Sequence, residues 1–286
     1  MTPRSEDQIR ADIVEVGRRL WQRGYVASND GNISVRFDDR LITTPKSVSK
    51  GFMTPAMMVV VDLEGKKVAG ERDPSSELKM HLQVYRDRPD ARAVVHAHPP
   101  TATGFAVAGI PLDRAVLAEV VTTLGSIPIA EYATPSTDEL PQACSKYLKA
   151  HDGLLLANHG ALAIGPDLFT AYYRMETIEH FAKISLVTRM LGKEHLLSRD
   201  EVNRLQGLRG MYGIASPAPV CADDSAIVGP GGQVACQVVQ APESPPNARL
   251  VVDTFDGRTR VAAGEEIRLT YAELSALIED AIKNLR

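Results

Sequence analysis

The segment Ala93-Val-Val-His-Ala-His-Pro-Pro100 carries the spacing in this chain most suggestive of chemistry. Its apolar residues predict a short buried strand that ends in His96 and His98. Residues two apart on a strand share a face, so both imidazoles can converge on one point. Two neutral imidazoles make half of a divalent-metal site, with zinc as the default ion. The prolines that follow end ladder pairing and leave the histidines at a strand end. An H-x-H pair also fits two histidines bonded to backbone. It becomes a site only if the chain supplies a third ligand, an acid or base, and a grip for a substrate.

Three other stretches can supply these. Gly153–Ile164 reads as a strand, a break at Asn158-His159-Gly160 and a second strand, a hairpin that exposes His159 at its turn as the candidate third ligand. Asp73-Pro-Ser-Ser-Glu77 precedes an amphipathic helix over 78–87, which puts Ser75, Ser76 and Glu77 at a helix start. Free N–H groups and the helix dipole favour an anion there. Two hydroxyls suit a phosphate, and plain capping with Glu77 in the first turn is the alternative. In Ser28–Phe37 the Asn29-Asp30-Gly31 turn leads into a strand. Its exposed N–H groups can hold an oxyanion, though an ordinary loop has the same composition.

Periodicity and turn chemistry place the remaining elements. Helices are expected over 5–24, 101–109, 136–149, 167–191 and 198–209, with His180 on the fourth as a surface or core residue. Strands are expected at Leu41–Ser47, at Met58–Leu63 with a hairpin turn at Glu64-Gly65, and at Ile127–Tyr132. Ala115–Leu124 is apolar around a lone Glu119, a carboxylate that must be paired, exposed or functional. The domain reading is a main domain over 1–215, a Pro/Gly/Ser-rich linker over 216–247 and a C-terminal extension over 248–286. The extension holds a small hairpin over 250–261 and a terminal helix capped by Thr270, with Leu274, Leu277, Ile278, Ala281, Ile282 and Leu285 on one face.

Composition narrows the function classes. The chain has 286 residues, 44% apolar and 24% charged, an ordinary globular balance. A net charge of −4 without any Lys/Arg run argues against nucleic acid as a partner. Cys144, Cys221 and Cys236 are odd in number and lack metal-like spacing, which suits free thiols in a reducing cytosol. The N-terminus is polar and acidic, and no apolar run approaches the ~20 residues of a membrane span. The expected location is cytoplasmic.

Seven pieces, in order, resemble the class II aldolase/adducin family: Gly31-Asn-Ile-Ser34, Leu41-Ile-Thr-Thr-Pro45, Pro74-Ser-Ser-Glu77, His96-Ala-His-Pro99, Tyr132-Ala-Thr134, Asn158-His-Gly160 and Tyr212-Gly213. Together they span about residues 7–213. The resemblance implies an α/β fold, a three-layer αβα arrangement with a central mainly antiparallel sheet flanked by helices, plus the C-terminal extension. It implies that His96, His98 and His159 bind Zn2+ and that Glu77 is the acid/base. Gly31, Asn32, Lys46, Ser47, Ser75 and Ser76 would form the substrate and phosphate grip. Tyr212 would reach a neighbouring subunit's site as a proton donor, which requires a homotetramer.

The implied activity is zinc-dependent cleavage of a deoxy-ketose 1-phosphate, L-fuculose- or L-rhamnulose-1-phosphate-like, to dihydroxyacetone phosphate and lactaldehyde. Decarboxylases and sugar-phosphate 4-epimerases of the family are the alternatives. Adducin-like scaffolds lack the metal ligands that stand here. Two departures bear on the substrate. Many members read Thr-Pro-Ser/Thr-Gly where this chain has Thr44-Pro-Lys-Ser47, and a tyrosine found after the H-x-H segment has no equivalent, Glu119 lying nearby. The tail resembles the encapsulation peptides of bacterial microcompartments. It implies a shell protein as partner through residues 266–286, unless the helix docks on its own domain or tetramer.

Overall fold

A computed structural model describes residues 4–212 and Ile214. The expected linker, the 250–261 hairpin and the terminal helix lie outside the described residues, as do Cys221 and Cys236. Helix α1 (Glu6–Gln22) starts at Ser5, whose hydroxyl accepts the Gln8 backbone N–H while the Gln8 side chain accepts that of Ser5. This reciprocal pair satisfies two donors that a helix start otherwise strands. The strands β1 (Asn32–Phe37) and β2 (Arg40–Thr43) follow, then two single 3₁₀ turns (Lys50–Phe52, Pro55–Met57), β3 (Val59–Asp62) and β4 (Lys67–Ala69). The chain continues with α2 (Leu78–Asp87), β5 (Ala93–Ala97), α3 (Pro100–Val107), α4 (Ala118–Thr123), β6 (Ile129–Ala130) and α5 (Glu139–Leu148). It then forms β7 (Gly153–Leu156), β8 (Gly160–Gly165), α6 (Leu168–Met190) and α7 (Arg199–Gly207).

The strands make one eight-stranded sheet in the order β4-β3-β2-β1-β5-β8-β7-β6. Every neighbouring pair is antiparallel except β6 beside β7. Strand alternation sorts the core into two layers. Ile33, Val95, Ala97, Ala161 and Ala163 pack with the stripe of α1 and with α3 and α6. Leu41, Val61, Val94, Leu162 and Ile164 pack with α2 and α5. The architecture is therefore the expected three-layer αβα with a mainly antiparallel sheet. Because His96 shares the parity of Val94, its imidazole points to the side of α2. Among the described residues no helix is long and apolar enough to cross a membrane. Cys144 is a buried thiol on α5, pushed up to about 12 by burial.

One buried charge cluster joins the ends of several elements. Asp152, at the mouth of β7, accepts from Arg88 at 2.9 Å and pairs with Arg174 of α6 at 2.8 Å, and its side chain is 1% exposed. Arg88 also donates to the Leu148 carbonyl at the end of α5. Removing the carboxylate would leave the largely buried Arg174 guanidinium without this counter-charge and Arg88 with the exposed Asp90 carboxylate in its place, and breaking a buried pair typically costs about 3–5 kcal/mol. Asp152→Ala should lower unfolding stability by that amount in urea titration. A loss below about 1 kcal/mol would show that the cluster does not hold these ends together.

Candidate metal centre and anion cleft

Strand pairing assembles the histidines. On β5, His96 stands opposite Leu162 and Ala97 opposite Ala161. The β7–β8 hairpin returns through Asn158, in the left-handed region at φ 55°, and the His159 N–H closes the turn onto the Leu156 carbonyl at 3.0 Å. Asparagine tolerates that conformation better than most residues. Gly160 is required by contact: a Cβ there would lie 2.6 Å from both the Ala97 carbonyl oxygen and His98 Cδ2. The three rings then sit with centroids 4.8–5.0 Å apart. One nitrogen from each lies within 4.8 Å of the others. His96 is fully buried, while His98 and His159 are partly exposed.

Partners behind His96 and His98 set which of their nitrogens faces inward. The His96 Nδ1–H donates to the Ala161 carbonyl at 2.9 Å, and His98 Nδ1 lies 3.3 Å from an Asp30 carboxylate oxygen. Their Nε2 atoms are left 3.1 Å apart. Burial first, and then His96 and His159, push His98 down to about 4, so its ring is neutral at physiological pH. Two lone pairs pointed at one another repel unless a cation lies between them. Backing of Nδ1 by a carbonyl or carboxylate is also how metal-ligating histidines are oriented. The donor set therefore fits a divalent ion with affinity for nitrogen.

Glu77 closes the cluster. Its Oε1 is 3.1 Å from His159 Nε2, and its Oε2 is 3.3 Å from His96 Nε2. Oε2 also accepts the Asn32 side-chain N–H at 2.8 Å. Burial alone would raise the Glu77 pKa. The neighbouring His96 and His159 imidazoles outweigh it and hold the carboxyl well below the usual range. An ionised carboxylate thus stands beside the imidazoles, at the residue preceding α2.

Every residue expected to grip phosphate lines one cleft of about 270 Å³. Gly31, Asn32, Lys46, Ser47, Ser75 and Ser76 are there together with Glu77, His98 and His159. Backbone pairing lays two of its loops side by side: Ser75 N–H donates to the Thr44 carbonyl at 3.2 Å and Lys46 N–H to the Asp73 carbonyl at 2.9 Å. Gly31 sits at φ +73°, and a Cβ there would come within 2.8 Å of the His96 carbonyl oxygen. A larger cleft of about 550 Å³ opens beside Arg36, Arg92 and Asp167, at the other end of β1 and β5, and no histidine lines it.

Not every expected residue joins the cluster. Tyr212 ends a 3₁₀ turn (Arg209–Tyr212), and its side chain lies outside the described residues. Glu119 is exposed on α4 and does not line the cleft. Asn32 is placed between two roles, lining the cleft while its amide nitrogen holds Glu77. Asp30 and Lys50 are additions, Asp30 orienting His98 and Lys50 lying buried in the cleft wall. The sequence signal for Asp30 was its place in the Asn-Asp-Gly turn. Only the pairing of Asn32 with His96 brings that turn to the histidines.

Residues 11–186 match the family described as the class II aldolase and adducin N-terminal domain. The chain is 32% identical over 208 residues to a 3-oxo-tetronate 4-phosphate decarboxylase of Pectobacterium atrosepticum, covering 70% of this chain and 94% of that one. It is 34% identical over 198 residues to a 5-deoxy-D-ribulose 1-phosphate aldolase of Bacillus thuringiensis, covering 68% and 92%. Among solved structures, an L-fuculose-1-phosphate aldolase from Thermus thermophilus superposes with a TM-score of 0.59 at 32% identity, over 66% of this chain and 98% of that one.

Ser47 occupies the position where the related loop pattern has glycine, and it adopts φ +57°. A side chain there costs about 1–2 kcal/mol of steric strain, and glycine costs about 0.5–1 kcal/mol in unfolded-chain entropy. Ser47→Gly should therefore raise stability by about 0.5–1 kcal/mol, read as a higher urea midpoint at unchanged slope. A lower midpoint would mean that the serine hydroxyl more than offsets its strain.

Proposed function

This chain belongs to the class II aldolase and adducin family, and from that premise we propose that it is a zinc-dependent aldolase of deoxy-ketose 1-phosphates. Its substrate would resemble L-fuculose or L-rhamnulose 1-phosphate, and its products would be dihydroxyacetone phosphate and lactaldehyde. The observation that carries the reading is the convergence of His96, His98 and His159, within 4.8 Å of one another, on the ionised Glu77 at the mouth of a serine-lined cleft.

Zinc held by the three histidines would supply Lewis acidity at the substrate's carbonyl and adjacent hydroxyl oxygens. The chain's own residues do the rest. Ser75, Ser76, Ser47 and Lys46 hold the phosphate and so fix the distance of the reacting carbons from Glu77. Asn32 keeps the Glu77 carboxylate turned toward the cluster. In the synthetic direction Glu77, ionised at rest, takes the proton from the carbon beside the carbonyl. In cleavage the hydroxyl that becomes the aldehyde gives up its proton and the carbon–carbon bond breaks, leaving its electron pair on the carbon beside the carbonyl. Glu77, having taken up a proton, then delivers it to that carbon. Tyr212 of a neighbouring copy serves the aldehyde oxygen, in a homotetramer.

A decarboxylase of a 3-oxo acid phosphate is the second reading. It is favoured by the 32% identity to the Pectobacterium decarboxylase and by Lys46, a cation on the cleft rim able to meet a carboxylate. Cleavage and decarboxylation both leave an electron pair on the carbon beside a carbonyl, so the same centre serves either.

Full-length protein should hold close to one zinc per chain and release dihydroxyacetone phosphate from one of a panel of ketose 1-phosphates. Glu77→Gln should lower kcat by about 10²–10⁴-fold. Less than about half an equivalent of metal, with turnover indifferent to chelator, would sink the aldolase and leave a scaffold. Carbon dioxide from a 3-oxo acid phosphate, with no ketose cleaved, would select the decarboxylase. Deleting residues 266–286 should leave activity and the tetramer intact while releasing the enzyme from microcompartment shells. An inactive, insoluble truncation would instead place that segment on its own protein.

A further inference from the structure

Lysine heads rarely leave water unless they are paired, yet Lys50 is only 2% exposed. Its Nζ donates to the Asn29 carbonyl and to the Val48 carbonyl, both at 2.8 Å. Asn29 lies in the turn that leads to Gly31 and Asn32. Val48 lies in the loop that carries Lys46 and Ser47. One ammonium therefore ties together two loops of the anion cleft, and Lys50 itself lines that cleft.

The surrounding packing fixes the lysine in place. The 3₁₀ turn Lys50–Phe52 lies so close to α1 that a Cβ at Gly17 would come 3.1 Å from the Lys50 carbonyl oxygen. A Cβ at Gly51 would come 2.5 Å from the Trp21 ring. Burial pushes the ammonium down to about 8, against Asp30 and Glu77, which pull it up, so it stays charged at neutral pH.

A neutral donor could bridge two carbonyls at far lower desolvation cost than a buried ammonium. The charge itself therefore calls for a purpose. Among the described residues that line the cleft are the carboxylates of Asp30 and Glu77, and the lysine beside Lys50 is Lys46, on an exposed loop. A phosphate ester carries about −1.5 to −2 charges near pH 7. Entering beside two carboxylates, it needs a fixed positive charge.

We propose that Lys50 is a positioning residue of the phosphate subsite. It holds the Asn29 and Val48 loops at their working separation and supplies the buried positive charge that a phosphomonoester requires there. This rests on the sugar-phosphate reading above.

The test is calorimetric titration of inorganic phosphate into full-length, zinc-loaded protein, with zinc content measured alongside. Lys50→Gln keeps N–H donors and loses the charge, Lys50→Met loses both, and Lys50→Arg keeps both. The Gln and Met variants should bind phosphate at least about tenfold more weakly with zinc content unchanged, and Arg should bind within about threefold of wild type. A folded Gln or Met variant that binds within about twofold of wild type would overturn the proposal. So would failure of both neutral variants to fold, since Lys50 would then be a folding element. Wild-type protein that binds no phosphate would instead sink the sugar-phosphate reading itself.

Discussion

Antiparallel pairing of β5 with β8, from Ala93 opposite Gly165 to Ala97 opposite Ala161, is the constraint on which the site depends. It brings the hairpin turn at His159 to the end of the H-x-H strand. It also gives the His96 ring its backing acceptor, the Ala161 carbonyl of the facing strand. Both faces of these strands are buried, alanines and Val95 toward α6 and Val94, Leu162 and Ile164 toward α2 and α5. A slip of one residue would turn each set to the wrong layer. The hydrophobic core thus specifies the register, and the register places the imidazoles.

Polar groups beneath α2 extend that control to Glu77. His81, one turn further along the helix, is buried beside Ser34 of β1 at 2.7 Å, and Ser34 in turn meets the Tyr85 hydroxyl at 2.9 Å. Burial pushes His81 down to about 3, so it adds no charge near the imidazole cluster. On the opposite face, Glu179 of α6 is fully buried and accepts the Thr101 and Ala102 N–H groups that open α3. That contact anchors the chain just after His98-Pro99. One side of the centre thus rests on a buried polar cluster beneath α2, and the other on a helix end whose orphan donors are satisfied by Glu179.

Much of this was legible in the sequence because it is local. Apolar spacing marked the helices, alternation and turn residues marked the strands, and the two histidine segments stood out by residue type. The features that were not legible depend on tertiary placement. A lysine in the polar stretch 46–50 reads as surface, and Lys50 is buried through tertiary contacts, its own turn packed on Gly17 and its Nζ held by the Asn29 and Val48 carbonyls. Asp30 reads as turn chemistry until β1 pairs with β5. The apolar stretch around Glu119 left pairing, exposure and function all open, and α4 decides among them by turning the carboxylate to solvent. The family resemblance carried the three-layer order, since long-range strand pairing leaves little trace in local periodicity.

The loop 44–48 is where this chain departs from the related pattern, and its backbone explains how the departure is tolerated. A serine at φ +57° persists only if its neighbours over-determine it. Both sides of Ser47 are pinned. Lys46 N–H is held by the Asp73 carbonyl, and the Val48 carbonyl is held by the buried Lys50 ammonium. With its flanks fixed, the loop can take the glycine conformation without glycine. The hydroxyl of Ser47 and the cation of Lys46 are then carried into the cleft wall, where a glycine would offer only backbone. Clamping and added polar groups are therefore linked. The same ammonium that lets a side chain sit in a left-handed turn also lies behind the surface on which that side chain is displayed.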